Sequence, residues 1–257
     1  MEGFRSHLRV RFTVVVVSPE AYEVPARPPR DAAELTRRLD RVRDRIARAG
    51  GDPDSVTVVA VTKGFGADMV DLAAEAGIDD LGENYAQEVI AKFAHGGTRP
   101  TTGGRRHPEL RLHFIGQLQR NKVKKLAGLV DVYQSVDRPE LVSELSRRAP
   151  GAELLVQVDC SGDDRRGGCP PSEVSGLVAL ARAEGLRVSG LMTVAPLGGP
   201  EVARRCFRTV RVLADELGLE TRSMGMSADL EIAVSEGSTM VRIGTDLFGP
   251  RPDRHAG

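Results

Sequence analysis

The chain carries no excess of charge, since 36 lysines and arginines balance 36 aspartates and glutamates over 257 residues. Bulk charge therefore gives no reason to expect nucleic acid or an anionic membrane as a partner, and only a local patch could serve either. Cysteine is scarce. The three present, Cys160, Cys169 and Cys206, are odd in number and form no C-x-x-C pair, which argues against a disulfide framework and a structural zinc site and for a reducing, cytoplasmic setting. Long apolar runs are missing too. The longest near the N-terminus, residues 12–17, is too short to span a bilayer and lacks the small-residue cleavage pattern of a signal peptide. Neither export nor a membrane span is expected.

Periodic patterning is absent from residues 1–30, where an isolated valine run is followed by Pro19, Pro25, Pro28 and Pro29. This stretch is expected to be a poorly ordered extension, with residues 31–257 forming a single domain. At Asp31 the pattern changes. Asp31 and Glu34 make a capping-box arrangement, and Leu35, Leu39, Val42 and Ile46 recur at helical spacing up to Gly50-Gly51. Short β-rich runs then alternate with helical stretches, as in βα units around a parallel sheet. The runs fall at 56–62, 78–81, 110–115, 130–135, 153–158, 187–192, 220–224 and 240–243. Helical segments lie near 67–76, 85–94, 119–127, 138–148, 171–184, 200–217 and 228–236. The best of these opens on Pro200, is expected to bury Val202, Cys206, Val210, Leu213 and Leu217, and stops at Gly218. Eight strands predict a (β/α)8 barrel; a doubly wound open sheet is the alternative, and the strand count is its difficulty.

Function in such a barrel sits at the C-terminal strand ends, with phosphate often held after strands seven and eight. Strand one ends in Lys63, which shares the side-chain parity of Val59 and Val61. Either parity can be apolar in a barrel, so spacing leaves open a solvated lysine and an inward one. An inward amine, desolvated and near positive charge, has a lowered pKa and can condense with an aldehyde. After strand seven come Gly225, Met226 and Ser227, and after strand eight Gly244 and Thr245. Such turns suit an anion, although Ser227 could be only a helix N-cap and Asp229 speaks mildly against a phosphate beside it. Arg242 lies between Val241 and Ile243 in the last strand and needs an acceptor, either a carboxylate or a ligand atom. His113 reads as a hydrogen-bonded core histidine. The basic run Arg120, Lys122, Lys124 and Lys125 reads as a solvated helix face without the aromatic partners of single-strand binding.

Five segments carry a resemblance: AVTKGF (60–65), GENY (82–85), HFIGQLQRNK (113–122), GLMTV (190–194) and MGMSADLEIAVSEGSTMVRIGTDLFG (224–249). They resemble the YggS/PROSC family of pyridoxal phosphate (PLP) homeostasis proteins, whose single domain looks like the N-terminal barrel of alanine racemase. The resemblance implies that Lys63 carries PLP as an internal aldimine. It also implies that Ser227, Gly244 and Thr245 hold the phosphate, that Arg242 lies near the pyridine nitrogen and that Asn84 lines the cofactor pocket. The chain departs from the family after strand five, where Asp159, Asp163 and Arg166 replace the usual Asn, Glu and Lys, and after Lys63, where Gly64-Phe65-Gly66 comes next.

Three functional classes remain open: a carrier that buffers PLP and hands it to apo PLP-dependent enzymes, a racemase-like PLP enzyme, and an interaction protein with a vestigial pocket. Racemisation needs two bases, and in alanine racemase the second is a tyrosine supplied across a dimer that includes a C-terminal β-domain. Here only Tyr22, Tyr85 and Tyr133 occur, and the chain ends 13 residues after Gly244. An arginine at the pyridine nitrogen would also keep that nitrogen unprotonated and weaken the ring as an electron sink. The expectation is a monomeric, non-catalytic PLP carrier with no metal.

Overall fold

The computed structural model describes residues 23–93, 110–163 and 166–251. Tyr22 and the first 22 residues of the expected extension lie outside them, as do Asp164 and Arg165 in the loop after the fifth strand. Eight parallel strands close into a barrel in sequence order, the last pairing with the first. They are β1 (Thr57–Val61), β2 (Asp80–Glu83), β3 (Arg111–Phe114), β4 (Val132–Val136), β5 (Glu153–Gln157), β6 (Arg187–Met192), β7 (Thr221–Ser223) and β8 (Met240–Ile243). Around them run α1 (Ala32–Arg48), α2 (Asp68–Glu75), α3 (Ala86–Phe93), α4 (Arg120–Leu126), α5 (Pro139–Arg148), α6 (Val174–Ala183), α7 (Pro200–Glu216), α8 (Leu230–Ser235) and α9 (Thr245–Phe248). The open sheet is thereby set aside.

Local chemistry explains the element ends. Asp31 caps α1 by accepting from the Glu34 amide at 2.7 Å, and the Glu34 carboxylate reaches back to the Arg30 amide at 3.1 Å. The second strand starts two residues later than the apolar pattern predicts. Gly77 ends α2 with φ of 74°, its amide donating to Ala74 and that of Ile78 to Ala73. Ile78 is therefore the apolar residue that closes a Schellman cap, and pairing begins at Asp80 opposite Arg111. On α7 the buried stripe is Ala203, Cys206, Phe207, Val210 and Ala214, displaced from the predicted one so that Val202, Leu213 and Leu217 are only partly covered. Phe207 is the largest side chain of that stripe and is fully buried.

Inside the barrel, Val59, Val132, Leu155, Met192 and Met240 form one small apolar cluster, while the larger core lies between strands and helices. Residues 23–30 carry no regular element, yet they are tied to the barrel. The Arg27 carbonyl accepts from Arg38 of α1 at 3.1 Å, and a Cβ on Gly249 would stand 2.6 Å from the same oxygen. Among the described residues no helix is long and apolar enough to cross a membrane.

Candidate functional site

A cavity of about 280 Å³ opens at the C-terminal ends of the strands. All six residues singled out from the sequence line it: Lys63, Asn84, Ser227, Arg242, Gly244 and Thr245. The walls add Val61, Phe65, Ile115 and Val194 from the early and middle strands, with Met226 and Ala228 beside Ser227. The volume suits one small ligand rather than a polymer.

Lys63 points into this space because Val59 and Val61, of its parity, face the barrel interior. Its backbone is held on both sides. Thr62 donates its hydroxyl to Glu83 Oε1 at 2.6 Å and accepts at its carbonyl from Lys92 Nζ at 2.8 Å, while the Gly64 amide donates to Glu88 Oε2 at 2.8 Å. Burial pushes the Lys63 amine below its usual pKa; the positive charges of Arg251 and Arg242 push further, and Glu83 and Glu88 pull partly back. The result is an amine with more of its neutral, nucleophilic form at neutral pH.

Arg242 is 4% exposed and finds backbone and hydroxyl oxygens instead of a carboxylate. It donates to the Ser223 carbonyl and hydroxyl, each at 2.7 Å, and to the Thr193 carbonyl at 2.7 Å. Burial lowers its pKa to about 10, so it stays cationic at neutral pH. Ser227 is not the N-cap of α8; that position is Asp229. Asp229 accepts from the Met226 amide at 2.6 Å and is not among the lining residues, although its charge is felt by Arg242, which is. Gly225 turns the chain with φ of 94°, and a Cβ there would meet that of Ala233 at 2.5 Å. On the opposite wall, Asn84 Oδ1 is buried without a hydrogen-bond partner among the described residues. A Cβ on Gly116 would lie 1.9 Å from the Asn84 carbonyl oxygen, so glycine at 116 permits that wall to exist. The ionisable groups lining the cavity are Lys63, Arg242 and Arg251, all basic.

The family model for the alanine racemase N-terminal domain matches residues 31–252. The pyridoxal phosphate homeostasis protein of Pseudomonas aeruginosa is 37% identical over 228 residues, covering 86% of this chain and 95% of its own. That of Aquifex aeolicus is 35% identical over 229 residues, covering 84% and 96%. The chain belongs to the pyridoxal phosphate homeostasis proteins of the alanine racemase N-terminal domain family. Among solved structures, PipY of Synechococcus elongatus PCC7942 with PLP bound is similar at a TM-score of 0.71 and 34% identity, over 84% of this chain and 100% of that one.

Where the sequence departs from the pyridoxal phosphate homeostasis family after β5, none of Asp159, Asp163 or Arg166 lines the cavity. The Asp159 carboxylate accepts from the Ser161 amide and hydroxyl and the Gly162 amide, folding the loop on itself. Arg166 donates to the Val194 and Ala195 carbonyls at 3.4 and 3.2 Å and so steadies the loop that brings Val194 to the cavity. In the other departure, Phe65 forms part of the cavity wall, its ring 5.7 Å from that of Phe248. Cys160 meets Cys206 and Thr193 rather than Cys169, and all three cysteines are free thiols.

Two arginines escaped the sequence reading. Arg45 of α1 donates to Asp246, to both carboxylate oxygens of Glu231 and to the Ser227 carbonyl, joining three helices behind the anion side of the cavity. A signal was present, since Arg38 and Arg45 stand seven apart within the apolar stripe of α1. Arg251 had no local signal. Because its charge, after burial, is the next largest cause of the lowered Lys63 pKa, Arg251→Gln is expected to move the pH midpoint of Lys63 amine labelling upward. Peptide-resolved acylation of the PLP-free protein across a pH series measures this, and an unmoved midpoint would show that Arg251 does not face Lys63 in solution.

Proposed function

We propose that this chain binds PLP through Lys63 and holds it without turnover, as a monomeric cytoplasmic carrier that supplies apo PLP-dependent enzymes. The observation that carries this reading is the lining of the cavity: one partly desolvated amine opposite hydroxyls, glycine turns and guanidinium groups, with no acidic side chain among the lining residues. The residues fit PLP. Lys63 supplies an amine for its aldehyde, and Ser227, Gly244 and Thr245 offer a site for its phosphate. Arg242 offers donors to the ring nitrogen, and Asn84 Oδ1 is a buried acceptor awaiting a donor. When bound, PLP would supply an electrophilic carbonyl and an electron-withdrawing ring.

The protein's own groups restrict proton transfer at the site. Among the lining residues Lys63 is the one side chain able to take and return a proton near neutral pH, whereas racemisation requires a base on each face. Tyr133 is fully buried and Tyr85 lies outside the lining. Arg242 can only donate, so it leaves a ring nitrogen unprotonated.

PLP-loaded protein is therefore expected to exchange the α-hydrogen of L- and D-amino acids in heavy water far more slowly than about 1 per second, the lower end of ordinary turnover. Exchange at that rate or faster would overturn the carrier reading in favour of a racemase-like enzyme. Light scattering of the same sample tests the monomer, and a stable dimer would count against it.

A further inference from the structure

A file of polar side chains crosses the barrel interior, where branched apolar residues ordinarily fill the layers. Asp80 opens β2 near the N-terminal mouth and accepts at Oδ1 from His113 Nε2 of β3 at 2.7 Å, with Arg111 Nη1 3.8 Å from the same oxygen. His113 Nδ1 lies 2.7 Å from Gln134 Nε2 of β4. Gln134 Oε1 accepts from the Ser223 hydroxyl of β7 at 2.7 Å, and that hydroxyl oxygen accepts from Arg242 Nη1. His113, Gln134 and Ser223 are each fully buried.

Donor and acceptor roles leave one direction for this file. A guanidinium only donates, so Ser223 Oγ accepts from Arg242 and sends its own proton to Gln134 Oε1. The amide nitrogen of Gln134 then donates to His113 Nδ1, which places the ring proton on Nε2, facing a carboxylate that only accepts. Every link is satisfied, with a cation at the cavity end and an anion at the other. Half-satisfied, such a network would cost more than an apolar core.

We propose that Asp80, His113, Gln134 and Ser223 are positioning residues that together fix the guanidinium of Arg242 in the cavity. The effect on PLP rests on the carrier reading; the effect on Arg242 does not. Gln134→Met keeps the volume and cuts the file at its middle, two residues from Arg242.

In PLP-free protein, exchange of the Arg242 guanidinium protons with water, followed by NMR and assigned by their loss in Arg242→Lys, is expected to quicken about tenfold or more as its hydrogen-bonded chain is broken. In loaded protein PLP should dissociate faster, and Gln134→Met should have no further effect in the Arg242→Lys background. A lower Tm with unchanged Arg242 exchange would overturn the proposal, because it would make the file packing alone. Should Gln134→Met fail to fold, Ser223→Ala is expected to quicken exchange and Ser223→Thr to keep it slow; equal exchange in both also overturns it. If the visible PLP band never forms, or survives in Lys63→Ala, the carrier reading fails while the exchange measurement still decides whether the file positions Arg242.

Discussion

Lys63→Ala is expected to abolish covalent capture of PLP altogether. In the unaltered protein, borohydride reduction after loading should leave a pyridoxyl group on the peptide containing Lys63, and the visible absorption band should vanish in the variant. The expectation rests on position as much as on reactivity. Thr62 and Gly64 are both pinned by hydrogen bonds to α3 and the end of β2, so the amine between them is presented to the cavity without a search for conformation. Lys92 does not replace it, because its ammonium is buried against Glu83 at 2.6 Å and against the Thr62 carbonyl. The chain contains no tryptophan, which leaves the near-ultraviolet clear for the assay. A label found mainly on another lysine would sink the assignment.

The second large effect concerns stability. Arg45→Met keeps the aliphatic stem of a side chain that is 6% exposed but withdraws its guanidinium from Asp246, a carboxylate 1% exposed. Removing one partner of a buried pair costs about 3–5 kcal/mol. The half-exposed Glu231 adds little to that sum. For Glu231 burial is the largest influence and raises the pKa, but the hydrogen bond and charge of Arg45, a backbone hydrogen bond and the charge of Arg48 together give a net lowering; without Arg45 the carboxyl should titrate higher. Calorimetry should show a fall in Tm on the order of 10 °C for a chain of this size. Adding Asp246→Leu to Arg45→Met should recover part of it, since the buried charge is then gone. A loss below about 1 kcal/mol would mean that the pair is solvated.

The barrel was legible because the β-rich runs are short and apolar and all but the last are succeeded by a helical period, and eight of them leave few topologies open. Where sequence and structure part, the cause is local. Ile78 looks like strand but closes the cap of α2, and α9 is four residues long, too short for a period to register. Of the site, Lys63 and the anion-side turns could be placed by strand ends, whereas the direction Lys63 faces could not, because both faces of a barrel strand are apolar. Arg45 was visible as a charge in an apolar stripe, but its partners lie some two hundred residues on. His113, Gln134 and Ser223 sit on three strands and meet only once the barrel has closed.

That closure bears on synthesis. Lys63 comes after the first strand and Thr245 after the last, and they share a cavity because Thr57 to Ala60 lie beside Met240 to Ile243. A nascent chain leaves the ribosome with its amine long before Arg242, Gly244 or Thr245 exists, and pairing of the most distant strands in the chain is a late, slow event. On the proposed function, capture of PLP would thus be a property of the finished barrel. Cofactor present during translation would act on the last step, drawing the first and eighth strands together by binding the closed form alone.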